Sequence, residues 1–155
     1  MKFLLCSVVF LLCTGLCLAD ETTFSTIRVP DSRGKQSRAS LTFSDGDKAV
    51  EVRAANGAAV RIPYREIDKC SYEFTKKRRV SEGTIALAAT TGVAAVVLFT
   101  RGKSHWLEID YHEQQRRKAL LLRMDKHDYI RVLDALKAHT GIDAEVLGNA
   151  DKRQK

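Results

Sequence analysis

The segment that most constrains this chain is an apolar run from Thr84 to Phe99, with Lys76-Lys77-Arg78-Arg79 just before it and Arg101 and Lys103 just after. The rest of the chain reads as short alternating strands. The run therefore decides whether a β-rich body is free in solution or is held against something apolar. Read as a helix from Thr84 to Thr100 it would be about 25 Å long, slightly short of a hydrocarbon core of about 30 Å. A single span would also put the dense basic cluster on the outer side and divide the strands between two compartments, against the positive-inside tendency.

Three other readings keep the body whole. The run dips into a bilayer as a protruding helix or hairpin, with Gly92 offering a bend and the flanking cations engaging headgroups. It packs on its own body or on a second copy, where Ala88 and Gly92 have small-x-x-x-small spacing. Or it docks on an unrelated partner. An exposed apolar patch of this size is unusual on a free monomer.

The amino terminus sets the compartment. Met1-Lys2 is positive, Phe3 to Leu18 is uncharged and apolar, and Cys17-Leu18-Ala19 leads into Asp20-Glu21. That is the layout of a secretory signal, with cleavage expected after Ala19. An uncleaved anchor is the alternative, although the core is shorter than a spanning helix wants. A lipoprotein signal fits less well, because bulky Leu16 and Leu12 stand before Cys17 and Cys13. Cys6, Cys13 and Cys17 leave with the leader. Cys70 then remains as a lone thiol in a strand-like stretch, which excludes an internal disulfide framework and reads as a buried structural residue.

The whole chain carries a formal charge of +7; loss of Lys2 takes Lys and Arg from 26 to 25 against 19 Asp and Glu, a balance of +6. Such a surface favours anionic partners. Export points away from nucleic acid and towards a membrane surface with anionic lipid, with a protein partner or a homo-oligomer as the alternative. The length suits one domain with a modest core.

Phe24–Val29 alternates and stops at Pro30-Asp31. Ala39–Phe43 follows, then Ser44-Asp45-Gly46-Asp47, whose Asp-Gly pair favours positive φ in a tight hairpin. Ala49–Arg53 and Ala59–Pro63 are joined by a second hairpin signal, Asn56-Gly57. Tyr64–Asp68 reads as a single helical turn before a fifth strand, Lys69–Phe74. In the sixth, His105–Tyr111, Leu107, Ile109 and Tyr111 share one face while Trp106, Glu108 and Asp110 share the other. A seventh, Lys118–Arg123, precedes an amphipathic helix. Asp125 is expected to accept its first free amides, Tyr129, Val132, Leu133 and Leu136 form its apolar stripe, and Gly141 ends it.

Seven strands followed by one helix, with the stretch Ala59-Val60-Arg61-Ile62-Pro63-Tyr64-Arg65-Glu66-Ile67 and the strand His105-Trp106-Leu107-Glu108-Ile109, resemble a pleckstrin-homology-like domain, nearest to the GRAM type. The resemblance covers about residues 24–147. It implies a mainly β (α+β) fold: a seven-stranded bent sheet barrel capped by one C-terminal helix, here with an apolar insertion over 80–102 between strands five and six. The expected organisation is a signal peptide over 1–19, the barrel domain over 20–148 and a disordered tail over 149–155. The resemblance also implies headgroup-contacting cations in the first inter-strand loop, which match Arg33, Lys35 and Arg38 only in part, because the Lys35-x-x-Arg38 spacing lacks the closer pairing of lipid-binding members.

Catalytic chemistry is weakly signalled. The four histidines are not at metal-ligand spacing; His112-Glu113 lacks a second histidine four residues on, and His127 and His139 lie twelve apart. No Gly-rich phosphate loop or Gly-x-Ser-x-Gly turn occurs. Glu108 and Asp110 could bring two carboxylates together, but a solvated strand face accounts for them. The expectation is a non-enzymatic, exported interaction module without cofactor, metal or small-molecule substrate. Lys76, Lys77, Arg78, Arg79, Arg101 and Lys103 would attract headgroups, and Ile85, Leu87, Val93, Val96, Val97, Leu98 and Phe99 would supply apolar area. Alternatives are a soluble protein-binding or self-associating domain using the same run, a single-span membrane protein, and an enzyme built on Glu108 and Asp110.

Overall fold

The computed structural model describes residues 21–30, 35–79 and 97–147, with the backbone alone described for 77–79 and 97–101. The leader, the tail, Arg33 and the apolar residues Ile85, Leu87, Val93 and Val96 lie outside the described residues.

Eight strands form one sheet: β1 (Glu21–Pro30), β2 (Gln36–Ser44), β3 (Ala49–Ala54), β4 (Ala59–Pro63), β5 (Ile67–Arg79), β6 (Val97–Glu113), β7 (Arg116–Met124) and β8 (Glu145–Leu147). A single 3-10 turn, Tyr64–Glu66, sits between β4 and β5, and helix α1 (Tyr129–Thr140) between β7 and β8. The strand order is β4-β3-β2-β1-β7-β6-β5-β8. Neighbours are antiparallel except β5 and β8, which run parallel, as they must when a helical crossover joins β7 to the far edge. The sheet is open, with eight strands rather than the expected seven, and it does not close into a barrel. The eighth strand is β8, whose three residues take the β5 edge.

The core is lined by alternate residues of every long strand, among them Leu41, Val52, Ile62, Leu107, Ile109 and Leu122. Val132 and Leu136 of α1 are buried in the same cluster, and Tyr129 and Leu133 pack against it half-buried. Four residues one helical turn apart thus lay a single apolar stripe on the sheet. The Leu107, Ile109 and Tyr111 face of β6 is the core face, as the alternation predicts. On the opposite face Trp106, Ala119 and Leu121 are also buried.

β1 is less regular than it reads. Phe24, Ile27 and Val29 all point into the core although Phe24 and Ile27 are three apart, because a bulge between them restores the alternation. The Asn56-Gly57 turn forms as expected, with Gly57 at φ +87° and the Asn56 side-chain oxygen accepting from Ala58 N at 3.1 Å. In the β2–β3 turn the left-handed residue is Lys48, at φ +49°, rather than the Asp-Gly pair. Gly141 ends α1 at φ +74°, its N–H donating to Lys137 O at 2.9 Å. At the other end Asp125 serves the turn before the helix, with Oδ1 accepting from His127 N. Asp128 is the residue at the helix boundary, and it ties α1 to β1 by accepting from the Thr26 hydroxyl at 2.7 Å.

Candidate functional site

β5 and β6 form a hairpin that outgrows the sheet. They pair from Ile67↔Tyr111 to Arg79↔Val97, whereas β7 follows β6 only as far as His105↔Met124 and β8 follows β5 only to Glu73. Beyond Phe74 and His105 two strands continue as a ribbon. Arg79 lies five residues past Phe74, roughly 16 Å further along an extended strand. The register is interrupted between Thr75 and Lys77, so that Thr75 faces Ser104 but Lys77 faces Phe99, and the extra β6 residues 100–103 bulge out.

This ribbon carries most of the sequence-predicted basic residues. Lys76, Lys77, Arg78 and Arg79 are on β5 itself, and Arg101 and Lys103 on the bulged part of β6. Across the ladder Lys77, Arg78 and Arg79 stand in register with Phe99, Leu98 and Val97. The last residues of the apolar run are therefore strand, not helix, and the segment between the ribbon's two arms shrinks from the expected 80–102 to 80–96. Lys103 is exposed, and its ammonium lies 5.6 Å from the centre of the Phe74 ring.

At the root of the ribbon lies a cleft of about 310 Å³ between β1, β6 and the start of the β7–α1 turn. Two of its lining residues, Phe74 and His105, belong to an aromatic stack. His105 lies between Phe74, 4.5 Å from ring centre to ring centre, and Tyr129, at 3.9 Å, with Tyr72 stacked on Tyr129. The Tyr72 hydroxyl and His105 Nδ1 are 2.7 Å apart. Burial pushes the Tyr72 phenol up to about 12 and lowers His105 from its ordinary value. The hydrogen bond thus joins two neutral groups.

The cleft walls are basic. Arg28, Lys103, Arg123 and Lys126 line it, against the single carboxylate of Asp125. Arg28 and Arg123 are direct partners across the β1–β7 pair, and Arg28 is also the partner of Arg38 across β1–β2. Three arginines on adjacent strands thus occupy one row of the sheet. Of the first-loop cations read from the sequence, Arg38 belongs to this row while Lys35 is exposed just before β2. Burial, and after it the neighbouring Arg28 charge, lowers the Arg123 guanidinium from its ordinary value. Sequence reading missed Arg28, Arg123 and Lys126; only strand register brings them together.

Glu108 and Asp110 do share the face of β6 that looks away from the core, opposite Leu121 and Ala119 of β7. Lys69 feels both charges, although its closest partner is Glu145. Cys70 is fully buried, and burial, with Asp110 adding to it, pushes its thiol up to about 12, far from a reactive thiolate. Among the described residues no group of three or more His, Cys, Asp or Glu side chains could hold a metal ion, and no helix is long and apolar enough to cross a membrane.

No family model matches the chain, and no curated protein matches it. Among solved structures it is similar to a chain in the structure of the Spt16D Pob3N heterodimer, with 10% sequence identity and a TM-score of 0.48 over 88% of this chain and 60% of that one. The chain thus spans about 60% of the length of that solved chain.

Proposed function

We propose that this chain is an exported, non-enzymatic interaction module with a pleckstrin-homology-like body, held at an anionic membrane surface by its apolar segment and basic flanks. The observation that supports this reading is the β5–β6 ribbon. It extends beyond the rest of the sheet, carries the run Lys76–Arg79 on one arm and Lys103 on the other, and leads at its end into the apolar segment. Cations close to an anionic surface contribute about 1 kcal/mol each, and apolar side chains at the interface add their burial.

Co-sedimentation of the full-length chain with phosphatidylcholine vesicles, with and without phosphatidylserine, tests the reading. Binding should require phosphatidylserine and weaken between about 0.01 M and 1 M salt, as the screening length falls from roughly 30 Å to 3 Å. Replacing Lys76, Lys77, Arg78 and Arg79 together with Gln should weaken it, and deleting residues 84–99 should abolish it. Failure to bind at low salt, combined with concentration-dependent self-association lost on the same deletion, would replace the membrane reading with a protein interface.

A further inference from the structure

The row Arg38–Arg28–Arg123 is electrostatically costly as it stands. Like charges directly opposite one another across strands are destabilising, and here two such pairs adjoin on three neighbouring strands. Among the described residues no carboxylate forms an ion pair with Arg28, Arg38, Lys103, Arg123 or Lys126. Acidic side chains elsewhere on the sheet are paired with cations, as in Arg61–Asp47 and Lys69–Glu145. Four cations without an ion pair, Arg28, Lys103, Arg123 and Lys126, line this one cleft. Asp125, the one carboxylate in the lining, accepts from the His127 amide and also acts on the Arg123 charge, so one negative charge stands against four lining cations.

The remaining features of the cleft suit a small ligand. Its volume of about 310 Å³ is at the lower end for small-molecule sites, roughly 300–1,000 Å³. Its lining includes two guanidinium groups, which match the geometry of phosphate oxygens. Phe74 and His105 add aromatic surface to its lining.

We infer that this cleft binds a phosphate monoester, its dianion held by Arg28 and Arg123 and supported by Lys103 and Lys126. Four cations against one carboxylate favour a dianion over a monoanion, so an ester with one free phosphate end fits better than a diester. The ester is either a soluble metabolite or the headgroup of a lipid. The site does not depend on the chain touching a membrane.

The test is a titration of the full-length chain with glycerol 3-phosphate, followed by amide chemical shifts. Saturable shifts are expected at Arg28, Ser104, His105 and Arg123, with dimethyl phosphate about tenfold weaker. The double variant Arg28→Gln/Arg123→Gln should weaken ester binding by about tenfold or more, whereas Lys35→Gln should leave it unchanged. Lys103→Gln/Lys126→Gln alters two exposed side chains only and should weaken binding severalfold, which keeps the test valid should the arginine variant lose its fold. Absence of saturable shifts, equal binding of monoester and diester, or insensitivity to both double variants would overturn the site. Vesicles with phosphatidic acid in phosphatidylcholine identify the source: competition with glycerol 3-phosphate assigns a lipid headgroup, and its absence assigns a soluble ester. Deleting residues 84–99 should remove binding to phosphatidylserine vesicles and spare glycerol 3-phosphate binding, so this inference and the membrane reading fail separately.

Discussion

The Tyr72 hydroxyl and His105 Nδ1 are hydrogen-bonded at 2.7 Å, and the two rings belong to one stack that ends on Tyr129 of α1. β5, β6 and the helix are thereby fastened at the root of the ribbon. Tyr72→Phe keeps the ring and removes the hydrogen bond, leaving the imidazole nitrogen unpaired in a partly buried site; it should cost about 1 kcal/mol in denaturant unfolding.

The same histidine gives a pH dependence. Burial lowers His105 from its ordinary 6.5, so just below that pH the unfolded chain binds more protons than the native state. The stability due to neutral His105 is present above pH 6.5 and is lost as pH falls from 6.5 to the lowered native value. His105→Gln should flatten the curve of unfolding free energy against pH in that window.

Asp45 and His139 define a second, more acidic window. His139 Nε2 is 3.0 Å from the Thr22 hydroxyl, and its Nδ1 stands 3.1 Å from the Asp45 carboxylate, at ion-pair distance but off the hydrogen-bonding axis. His139 chiefly holds Asp45 below its ordinary 3.8. The unfolded chain therefore takes up this proton first, and the contribution of ionised Asp45, intact above pH 3.8, disappears as pH falls through the native value. Asp45→Asn should remove that part of the acid-induced loss, as read in melting temperature against pH.

Cys70 predicts inertness. Its thiol is buried in the core and pushed up to about 12. A disulfide-exchange reagent should label it only as fast as the protein unfolds, and Cys70→Ser should destabilise by about 1–3 kcal/mol by burying an unmatched hydroxyl.

Gly141 isolates a backbone effect. An added Cβ would meet nothing within 4 Å, so the cost of Gly141→Ala comes from φ +74° alone, roughly 1 kcal/mol in chemical denaturation. Gly141→Asn should cost less, since Asn tolerates the left-handed region.

Much of the body was legible because its strands are half-buried, and half-burial writes itself as alternation. β4, the Leu107–Ile109–Tyr111 face and the α1 stripe follow directly from that pattern. The ribbon was not legible. A two-stranded extension is held by its backbone ladder and needs no apolar face, so Lys76–Arg79 read as a flank, and Val97–Phe99 merged with the apolar run despite their strand-forming side chains. β8 is too short to show a period, and only the open edge of β5 explains it. The cleft escaped for a different reason: Arg28, Lys103, Arg123 and Lys126 come from distant parts of the chain, and a bulge in β1 helps set the register that unites them.

The two arms of the ribbon are the same strands that carry Cys70, Tyr72, Leu107 and Ile109 through the centre of the core. A tug applied beyond Arg79 and Val97 would run along those strands and load the β6–β7 ladder lengthwise, so its rungs would have to break together rather than unzip one by one. Mechanically, the ribbon is rooted in the most strongly braced strands of the sheet.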